Sequence, residues 1–314
     1  LPLETALFPF PDVIYRRRSI PYEQLARIKA EMTPYIFNNP RASHKLRQVA
    51  ALRRVPSLAA HLPETRELSS AHVLNAMLRR HPAVFVKRSG LGAGRGVFHV
   101  TRLASGGYRL TFRESTRTTH EVQQDVTSYA DLTTLLSRLT GYAWRSSAWC
   151  VQQALQPARW RDRPFDLRVI VQKDGQGRWR VNGSYIRVAP DPASLLSRRG
   201  DYLPSERFFS MKWGSKGTPF LSEIFALACR CAAALDEALG PLGDLGMDFL
   251  IDEADRVWFL EANAGPGYLM LGPDDRDYWN QLSAPLAFAS YLAGFPTVGD
   301  DDSPNSSRGV DAGV

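Results

Sequence analysis

Two carboxylates and one amide stand close together in the segment DFLIDEADRVWFLEAN, which is typical of two strands joined by a turn. Successive strand residues face opposite sides, so Glu261 and Asn263 are expected to project together, on the same face as Val257 and Phe259. Asp248, on the preceding strand, is then a cross-strand neighbour of Glu261. Carboxylate and amide oxygens are the ligands that Mg²⁺ prefers in proteins. The alternative is a hairpin whose acids lie on its solvent-facing side.

The glycine-rich segment after Lys87 is a candidate phosphate site. Lys87 closes the apolar segment AVFVKR and precedes SGLGAGRG, in which residues 90, 92, 94 and 96 are glycine. Glycines let backbone N–H groups approach an anion, and the lysine adds a mobile positive charge. No GK[ST] follows the glycines, which excludes a Walker A motif, and no GxGxxG opens a helix. The alternative is a tight β-turn without a ligand.

Charge is distributed unevenly along the chain. Residues 1–150 carry a net charge of +12 and residues 151–314 a net charge of −5, which gives +7 overall. A basic half is typical of proteins that bind nucleic acid or a small anion. Because no nucleic-acid-binding motif or interleaved aromatic pattern is present, no nucleic acid is expected, and the arginine run at 16–18 is predicted to be a solvated loop. The chain has 33 arginines but only 6 lysines, so each lysine is a candidate for a specific role.

The composition is typical of a globular protein from a reducing compartment. Hydrophobic residues make up 44% and charged residues 23%, which excludes a wholly disordered chain, and the length of 314 residues predicts about two domains. No signal peptide and no run of about 18 apolar residues is seen. The three cysteines lack the CxxC spacing of a zinc site. We therefore expect a cytoplasmic protein without a membrane partner.

The periodicity of apolar residues predicts two rounds of helices followed by antiparallel strands, which indicates an α+β fold with two lobes. A first helix is predicted from Pro21 to about Tyr35, and a second over ASHKLRQVAALRRV. Residues 189–217 are predicted to be a long polar loop over a site, and residues 299–314 a disordered tail. The second helix is predicted to bury Leu46, Val49, Ala50 and Leu52.

The order of these features resembles the ATP-grasp superfamily over about residues 35 to 293. LEANAGPG after MDFLID is similar to the superfamily's metal motif. VQQAL followed by RPFDLRVIVQKDGQGRWRVNGSYIR, with IFNNP and HLPETRELSS upstream, resembles the YheC/YheD-type branch, whose members are associated with endospore coats. The resemblance implies a two-lobed fold that binds a nucleotide between two α+β subdomains. The domains it implies are 1–70 (a short pre-grasp region), 71–150 (first lobe), 151–298 (second lobe) and 299–314 (tail).

The same resemblance implies roles for individual residues. Lys45 and Lys87 match the two phosphate-binding lysines, and Gly92 and Gly94 belong to the lid over the triphosphate. Asp166 lies near the ribose, with an ion pair to Arg168 as the alternative. The resemblance also implies a hinge that contacts adenine, formed by Gln152, Gln153, Ala154 and Leu155, through its backbone and through the side chain of Gln152 or Gln153. Catalytic arginines that face the phosphates are Arg168 and Arg187. The implied metal ligands are Asp248, Glu261 and Asn263.

The resemblance implies an ATP-dependent carboxylate–amine ligase that acts through an acyl phosphate, with ATP and Mg²⁺, or Mn²⁺ in its place, as cofactors. Small-molecule or peptide carboxylates and amines are the implied substrates. Two alternatives stay open: a phosphotransferase on the same fold, and an ATP-binding structural protein of an assembly. The segment APDPASLLSRRGDYLPSERFF departs from the Asn-Leu and paired glycines expected in this branch, so the acceptor substrate is predicted to differ.

Overall fold

A computed structural model of the chain describes residues 9–18, 20–90, 96–113, 121–141, 144, 146, 148–193, 200–269 and 276–295. Within these residues, two six-stranded antiparallel sheets and a parallel pair of strands are packed against helices. The strands are β1 (Val13–Tyr15), β2 (Tyr35–Phe37), β3 (Thr65–Glu67), β4 (Ala83–Arg88), β5 (Val97–Arg102), β6 (Tyr108–Phe112), β7 (Val122–Val126), β8 (Trp149–Gln153), β9 (Arg159–Trp160), β10 (Arg163–Lys173), β11 (Trp179–Val188), β12 (Asp201–Pro204), β13 (Asp244–Ile251) and β14 (Val257–Ala264). The helices are α1 (Tyr22–Glu31), α2 (Lys45–Arg53), α3 (Pro56–Ala59), α4 (Ala71–Arg80), α5 (Tyr129–Leu139), α6 (Ser205–Trp213), α7 (Gly217–Leu239) and α8 (Arg276–Leu292).

The first sheet has the strand order β3-β8-β4-β5-β6-β7, and α4 and α5 cover one of its faces. Strand alternation divides its residues between two environments. Val86 and Val100 belong to the core under the helices, together with residues of α4 and α5. Lys87 and His99, one position away on the same strands, lie on the opposite face and line a cleft. The sheet therefore has one apolar face and one face available for chemistry.

The second sheet has the order β12-β11-β10-β13-β14, with β9 paired to β10. On β10, Leu167 and Val169 are buried against α6 and α7, whereas Asp166 and Arg168 face the other side. Part of that other side is covered by α8, where the carbonyl of Gln281 accepts a hydrogen bond of 2.9 Å from the Gln172 side chain. The part left uncovered faces the cleft. The α+β fold with two lobes is thus present as predicted, while the bounds given for the four domains stay a prediction.

One helical stretch, from Ser205 to Leu239, includes α6 and α7 and is long and apolar enough to cross a membrane, with a mean hydropathy of 1.4 over 18 residues. Leu221, Ile224 and Leu235 of this stretch are fully or almost fully buried in the core of the second sheet. A core helix of a folded domain passes the same test, so the stretch is a weak indication of a membrane span.

The predicted loop over 189–217 is wrong for its second half. Residues 201–204 form β12, an edge strand next to β11, and α6 with a 3₁₀ turn (Gly214–Lys216) follows. Phe208 and Phe209 are fully buried, and burial of such side chains contributes roughly 1.5–3 kcal/mol each. Trp213 packs on both rings. Three aromatic anchors therefore order a segment whose overall composition is polar.

Two helix predictions also need correction. The first helix ends at Glu31, and Tyr35–Phe37 forms β2, which pairs in parallel with β1. The second helix, α2, is rotated relative to the predicted face: Ala50 is exposed, and Lys45 and Gln48 are buried. These two polar side chains are buried because each has a partner on β14, described below.

A β-bulge in β14 changes the predicted alternation around the carboxylates. Asp248 pairs directly with Glu261, as expected, but the next pair is Phe249 with Phe259, so Leu260 is the extra residue. Phe259 consequently packs in the core, on the opposite side from Glu261. The prediction that Val257 and Phe259 share the face of Glu261 is therefore wrong, because period-2 alternation does not survive an inserted residue.

Candidate functional site

The cleft between the two sheets encloses a cavity of about 250 Å³. One wall comes from β4, β5, β8 and the segment 154–157, and the other from β10, β11, β13 and β14. Its lining includes apolar side chains, among them Phe85, Leu250 and Leu260, together with polar and charged groups. Of the residues predicted from the sequence, those that line the cavity are Lys45, Lys87, Gln152, Gln153, Ala154, Leu155, Asp166, Arg187, Asp248 and Glu261.

Lys87, at the end of β4, is held by the first sheet. Its Nζ donates a 2.6 Å hydrogen bond to Gln152 Oε1 and lies 4.7 Å from the centre of the Phe85 ring. The Gln152 amide in turn donates to Thr65 Oγ1 at 2.9 Å, which fixes its orientation. Burial, with a smaller contribution from the nearby charge of Lys45, lowers the pKa of Lys87 to about 8. An anion in the cleft would stabilise the charged form of this lysine.

Lys45 approaches the same cleft from α2. Its Nζ is 2.8 Å from Glu261 Oε2, in an ion pair of which both side chains are largely buried. Gln48 aligns the helix with β14 through two hydrogen bonds to the backbone of Ala262. Its Nε2 donates to the Ala262 carbonyl at 2.5 Å, and its Oε1 accepts from the Ala262 N–H at 3.0 Å. Because Lys45 lies one helical turn before Gln48, this clamp places its ammonium beside Glu261.

The Glu261 carboxylate is held in its charged form. Burial alone would raise its pKa, but Lys45, a hydrogen bond from Asn263 Nδ2 at 3.0 Å and the charge of Arg168 outweigh burial and lower the pKa to about 2. Since Asn263 donates through its nitrogen, its amide oxygen is left for another partner. This arrangement of charged carboxylate and amide oxygen fits a hard divalent cation.

Asp248 is held by two arginines. Arg168, its partner in the β10–β13 register, donates from Nε and Nη2 to the two carboxylate oxygens, the second bond measuring 2.9 Å. Arg187 Nη2 lies 2.9 Å from Asp248 Oδ1, and its Nε donates to Asp166 at 2.5 Å. Burial acts to lower the pKa of Arg168, but Asp248 outweighs it and raises that pKa. Such bidentate arginine–carboxylate pairs are directional and strong.

The alternative of an ion pair between Asp166 and Arg168 is wrong. Asp166 and Arg187 face each other across β10 and β11, and these two residues pair instead. Arg168 reaches the other neighbouring strand, to Asp248. Asp166 and Arg168 are only two positions apart on β10, but the strand register places their ion-pair partners on different neighbouring strands.

The predicted hinge lies in the cleft wall, and both glutamine side chains already have partners within the protein. Gln152 binds Lys87 and Thr65, and Gln153 Oε1 accepts from the Glu64 N–H at 3.3 Å. The wall at 154–157 is left to backbone groups and to Leu155 and its neighbours. Gly92 and Gly94 lie outside the described residues.

His99 is a cleft residue that sequence analysis missed. Its ring centre is 4.8 Å from that of Phe85, and burial, followed in effect by Lys87, lowers its pKa to about 4. The imidazole is therefore neutral at pH 7 and offers a hydrogen-bonding edge next to an apolar surface. The sequence feature that could have identified His99 is its place as a polar residue among the apolar residues of the strand segment VFHV.

No group of three or more His, Cys, Asp and Glu side chains that could hold a metal ion occurs in the part of the chain that the structure describes. The predicted set consists of two carboxylates and an amide instead. Asp248 and Glu261 are paired in register and Asn263 Nδ2 contacts Glu261, so the three side chains are neighbours on the sheet. Hard oxygen donors with few protein ligands fit Mg²⁺. In this arrangement Arg168, Arg187 and Lys45 balance the charge of the carboxylates.

Residues 34–292 match a family model described as YheC/D like ATP-grasp. The chain is 23% identical over 307 residues to the endospore coat-associated protein YheD of Bacillus subtilis (strain 168), which covers 92% of this chain and 65% of that protein. It is 25% identical over 241 residues to YheC of the same organism, covering 74% and 62%. The chain thus spans less than two thirds of the length of these relatives.

Solved structures share the fold. Biotin carboxylase from Campylobacter jejuni, in a complex with β,γ-ATP, superposes with a TM-score of 0.55 at 13% identity and covers 92% of this chain and 56% of that one. The D-alanine–D-alanine ligase of Coxiella burnetii gives 0.52 at 12% identity, covering 90% and 68%. At these identities the likeness concerns the fold.

Proposed function

This chain belongs to the YheC/D-like ATP-grasp family, and on that premise we propose that it is a Mg-ATP-dependent carboxylate–amine ligase that acts through an acyl phosphate. The observation that carries the proposal is the charge arrangement of the cleft. Lys87 on the first sheet and Lys45 on α2 face a carboxylate pair with two arginines on the second sheet. Phosphoryl transfer requires positioning and charge stabilisation, which such a set supplies.

The proposed nucleotide site has two parts. Phe85, Leu250 and Leu260 offer an apolar surface to a purine ring, and neutral His99 offers a hydrogen-bonding edge beside it. Lys87 lies 4.7 Å from the centre of the Phe85 ring and close enough to Glu261 to interact with its charge, so that its ammonium can bind phosphate oxygens. A triphosphate would stabilise the charged form of Lys87 and thereby counteract the effect of burial on its pKa.

In the proposed reaction, a carboxylate oxygen bonds to the γ-phosphorus while the bond to the β–γ bridging oxygen breaks and ADP leaves. An amine nitrogen then bonds to the acyl carbon, phosphate leaves with the acyl oxygen, and the nitrogen gives up a proton to solvent. Asp248, Glu261 and Asn263 would hold Mg²⁺, which supplies charge neutralisation between phosphate oxygens when bound. Arg168 and Arg187 would stabilise the negative charge on the transferred group.

A second candidate function is that of an ATP-binding component of an assembly. It is favoured by the names of the curated relatives, both of which are described as endospore coat-associated. Such a protein would bind the nucleotide without forming an amide.

The reaction proposed above requires ATP, and so we also propose a cytoplasmic location.

The proposed function is tested by ADP release from Mg-ATP across pools of amino acids and small peptides, with products identified by mass spectrometry. We expect ADP release that depends on an added amine, together with free phosphate and an amide product. Glu261→Gln removes one charge from the proposed metal site, keeps the side-chain volume and should abolish turnover. A phosphorylated product would indicate a phosphotransferase, and nucleotide binding without any turnover would favour the assembly component.

A further inference from the structure

The segment that follows β1 lies against the loop that follows β14. Arg17 Nη2 donates a hydrogen bond to the Pro266 carbonyl, and its guanidinium carbon lies 4.6 Å from the centre of the Tyr268 ring. The two main chains are also close, since a Cβ on Gly265, whose φ is +70°, would be 3.0 Å from the Arg17 carbonyl oxygen. Arg17 is therefore held at one place, which the prediction of a solvated arginine run did not foresee.

Tyr268, which supports the guanidinium, is fixed by a buried polar cluster. Its hydroxyl donates to Asp244 Oδ2 at 2.9 Å, and Asp244 also accepts hydrogen bonds from Tyr15 and, at 2.9 Å, from Gln172. Burial raises the pKa of Asp244 to about 6, although these hydrogen bonds act to lower it. Because the Tyr268 ring is held at its hydroxyl, it is fixed in position for the cation–π contact with Arg17.

Arg17 keeps hydrogen-bonding capacity in this position. The residue is exposed, and Nη2 is the nitrogen that bonds to Pro266. Among the described residues, its Nε and Nη1 have no hydrogen bond and no ion pair. A guanidinium carries five N–H donors in a planar fork that matches a carboxylate. The unused part of the fork is therefore available to an anionic ligand.

A second guanidinium, that of Arg168, lies close to the same loop. Gly246, in β13, leaves a gap in which a Cβ would be 2.8 Å from Arg168 Nη1 and 2.6 Å from Pro266 Cβ. Arg168 uses Nε and Nη2 for Asp248, so that its Nη1 has no hydrogen bond within the described residues. Pro266 lies three residues after Asn263 of the proposed metal site, and both Arg17 and Arg168 lie near it.

We propose that Arg17, supported by Tyr268 and the Pro266 carbonyl, binds a carboxylate of an amino-acid or peptide substrate that does not itself react. The inference rests on the proposed function. A ligase substrate must lie beside the phosphoryl group, hence near Arg168 and Asn263. Arg17 binds Pro266, three residues after Asn263, and does not line the nucleotide cavity. A carboxylate away from the reacting atoms would be oriented by a bidentate bond to Arg17.

The test measures the thermal unfolding midpoint with a non-hydrolysable ATP analogue and Mg²⁺. Free L- and D-amino acids and dipeptides are added singly, each paired with its C-terminal amide, and the shifts are titrated for apparent Kd. With the wild type we expect one or more acids to raise the midpoint further, and the matching amides to fail. Arg17→Met should weaken binding of those acids by about tenfold or more, because a hydrogen-bonded charge pair is lost.

Two variants separate this role from a structural clamp. Arg17→Lys keeps the charge but not the fork, so we expect it to fold and to bind the acids more weakly than the wild type. Arg18→Met changes an exposed neighbour and should bind them as the wild type does. All variants should keep the shift caused by the nucleotide analogue.

Equal shifts from acids and amides, unchanged acid binding in both Arg17 variants, or no shift from any acid with the wild type would overturn the proposal. Failure of the nucleotide analogue to shift the wild type would count against the proposed function instead. The acids titrated without nucleotide then decide whether Arg17 binds a carboxylate.

Discussion

At the scale of single residues, most of the charged side chains in the cleft are paired with one another. Asp248 is shared by Arg168 and Arg187, and Glu261 is paired with Lys45. Burying a charge without a partner is expensive, and a partner within hydrogen-bonding distance offsets that cost. Arg168 and Arg187, which pair with Asp248, are thus also the residues proposed to stabilise the transferred group, and a bound ligand would redistribute these pairs.

The Lys45–Glu261 pair predicts a pH-dependent loss of stability. The pKa of Glu261 is about 2 in the folded protein and about 4.3 in an unfolded chain. The pair therefore contributes stability that is fully present above pH 4.3 and is lost as the pH falls towards 2. Lys45→Met should lower the free energy of unfolding at pH 7, because it leaves a buried carboxylate without its closest cation.

Urea unfolding of Lys45→Met at pH 7, 5 and 3 checks this prediction. The difference from the wild type should shrink at pH 3, where protonation begins to remove the contribution of Glu261. Lys29→Met, on the exposed surface of α1, is the matched control and should change stability little at any of these pH values. A difference for Lys45→Met that is independent of pH would show that the pair does not account for its effect.

At the scale of elements, the bulge at Leu260 and the gap at Gly246 bring side chains from neighbouring strands into one site. The bulge turns both Leu260 and Glu261 towards the cleft, so that an apolar and a charged wall meet on one strand. The missing side chain of Gly246 gives space to the Arg168 guanidinium and to Pro266. Local irregularities in a regular sheet thus position the side chains of the proposed site.

Gly246→Ala is expected to disturb this arrangement. Its Cβ would be 2.6 Å from Pro266 Cβ and 2.8 Å from Arg168 Nη1, contacts that require the loop or the guanidinium to move. We predict a loss of about 1–3 kcal/mol in unfolding free energy, as for other overpacked sites. Chemical denaturation measures it. Gly267→Ala is the control, because nothing lies within 4 Å of its Cβ, and equal stability of the two variants would contradict the account.

Strand pairs and helices close in sequence could be predicted, whereas features that depend on distant partners could not. Asp248 and Glu261 are 13 residues apart on one hairpin, and their cross-strand pairing was predicted from alternation. The burial of Gln48 depends on Ala262, more than 200 residues away. Apolar periodicity therefore predicted the burial of Val49 and Leu52 correctly but could not predict that of Gln48. Arg17 is likewise placed by Pro266, at the other end of the chain.

At the scale of the whole molecule, two sheets each present an apolar face to helices and a polar face to the shared cleft. Neither sheet alone holds the full set of cations and carboxylates, since Lys87 belongs to the first sheet and Asp248 to the second. A ligand bound between them would contact both lobes. Binding that occurs in the folded state alone must raise stability by mass action.

Isothermal titration calorimetry with Mg²⁺ and a non-hydrolysable ATP analogue measures whether the cleft binds a nucleotide. We predict saturable binding of one nucleotide per chain by the wild type. Lys87→Met should weaken this binding by about tenfold or more, because a charged hydrogen bond to phosphate is lost, whereas Lys216→Met on the exposed 3₁₀ turn should bind as the wild type does. Absence of saturable binding by the wild type, or equal affinity of the two lysine variants, would contradict this prediction.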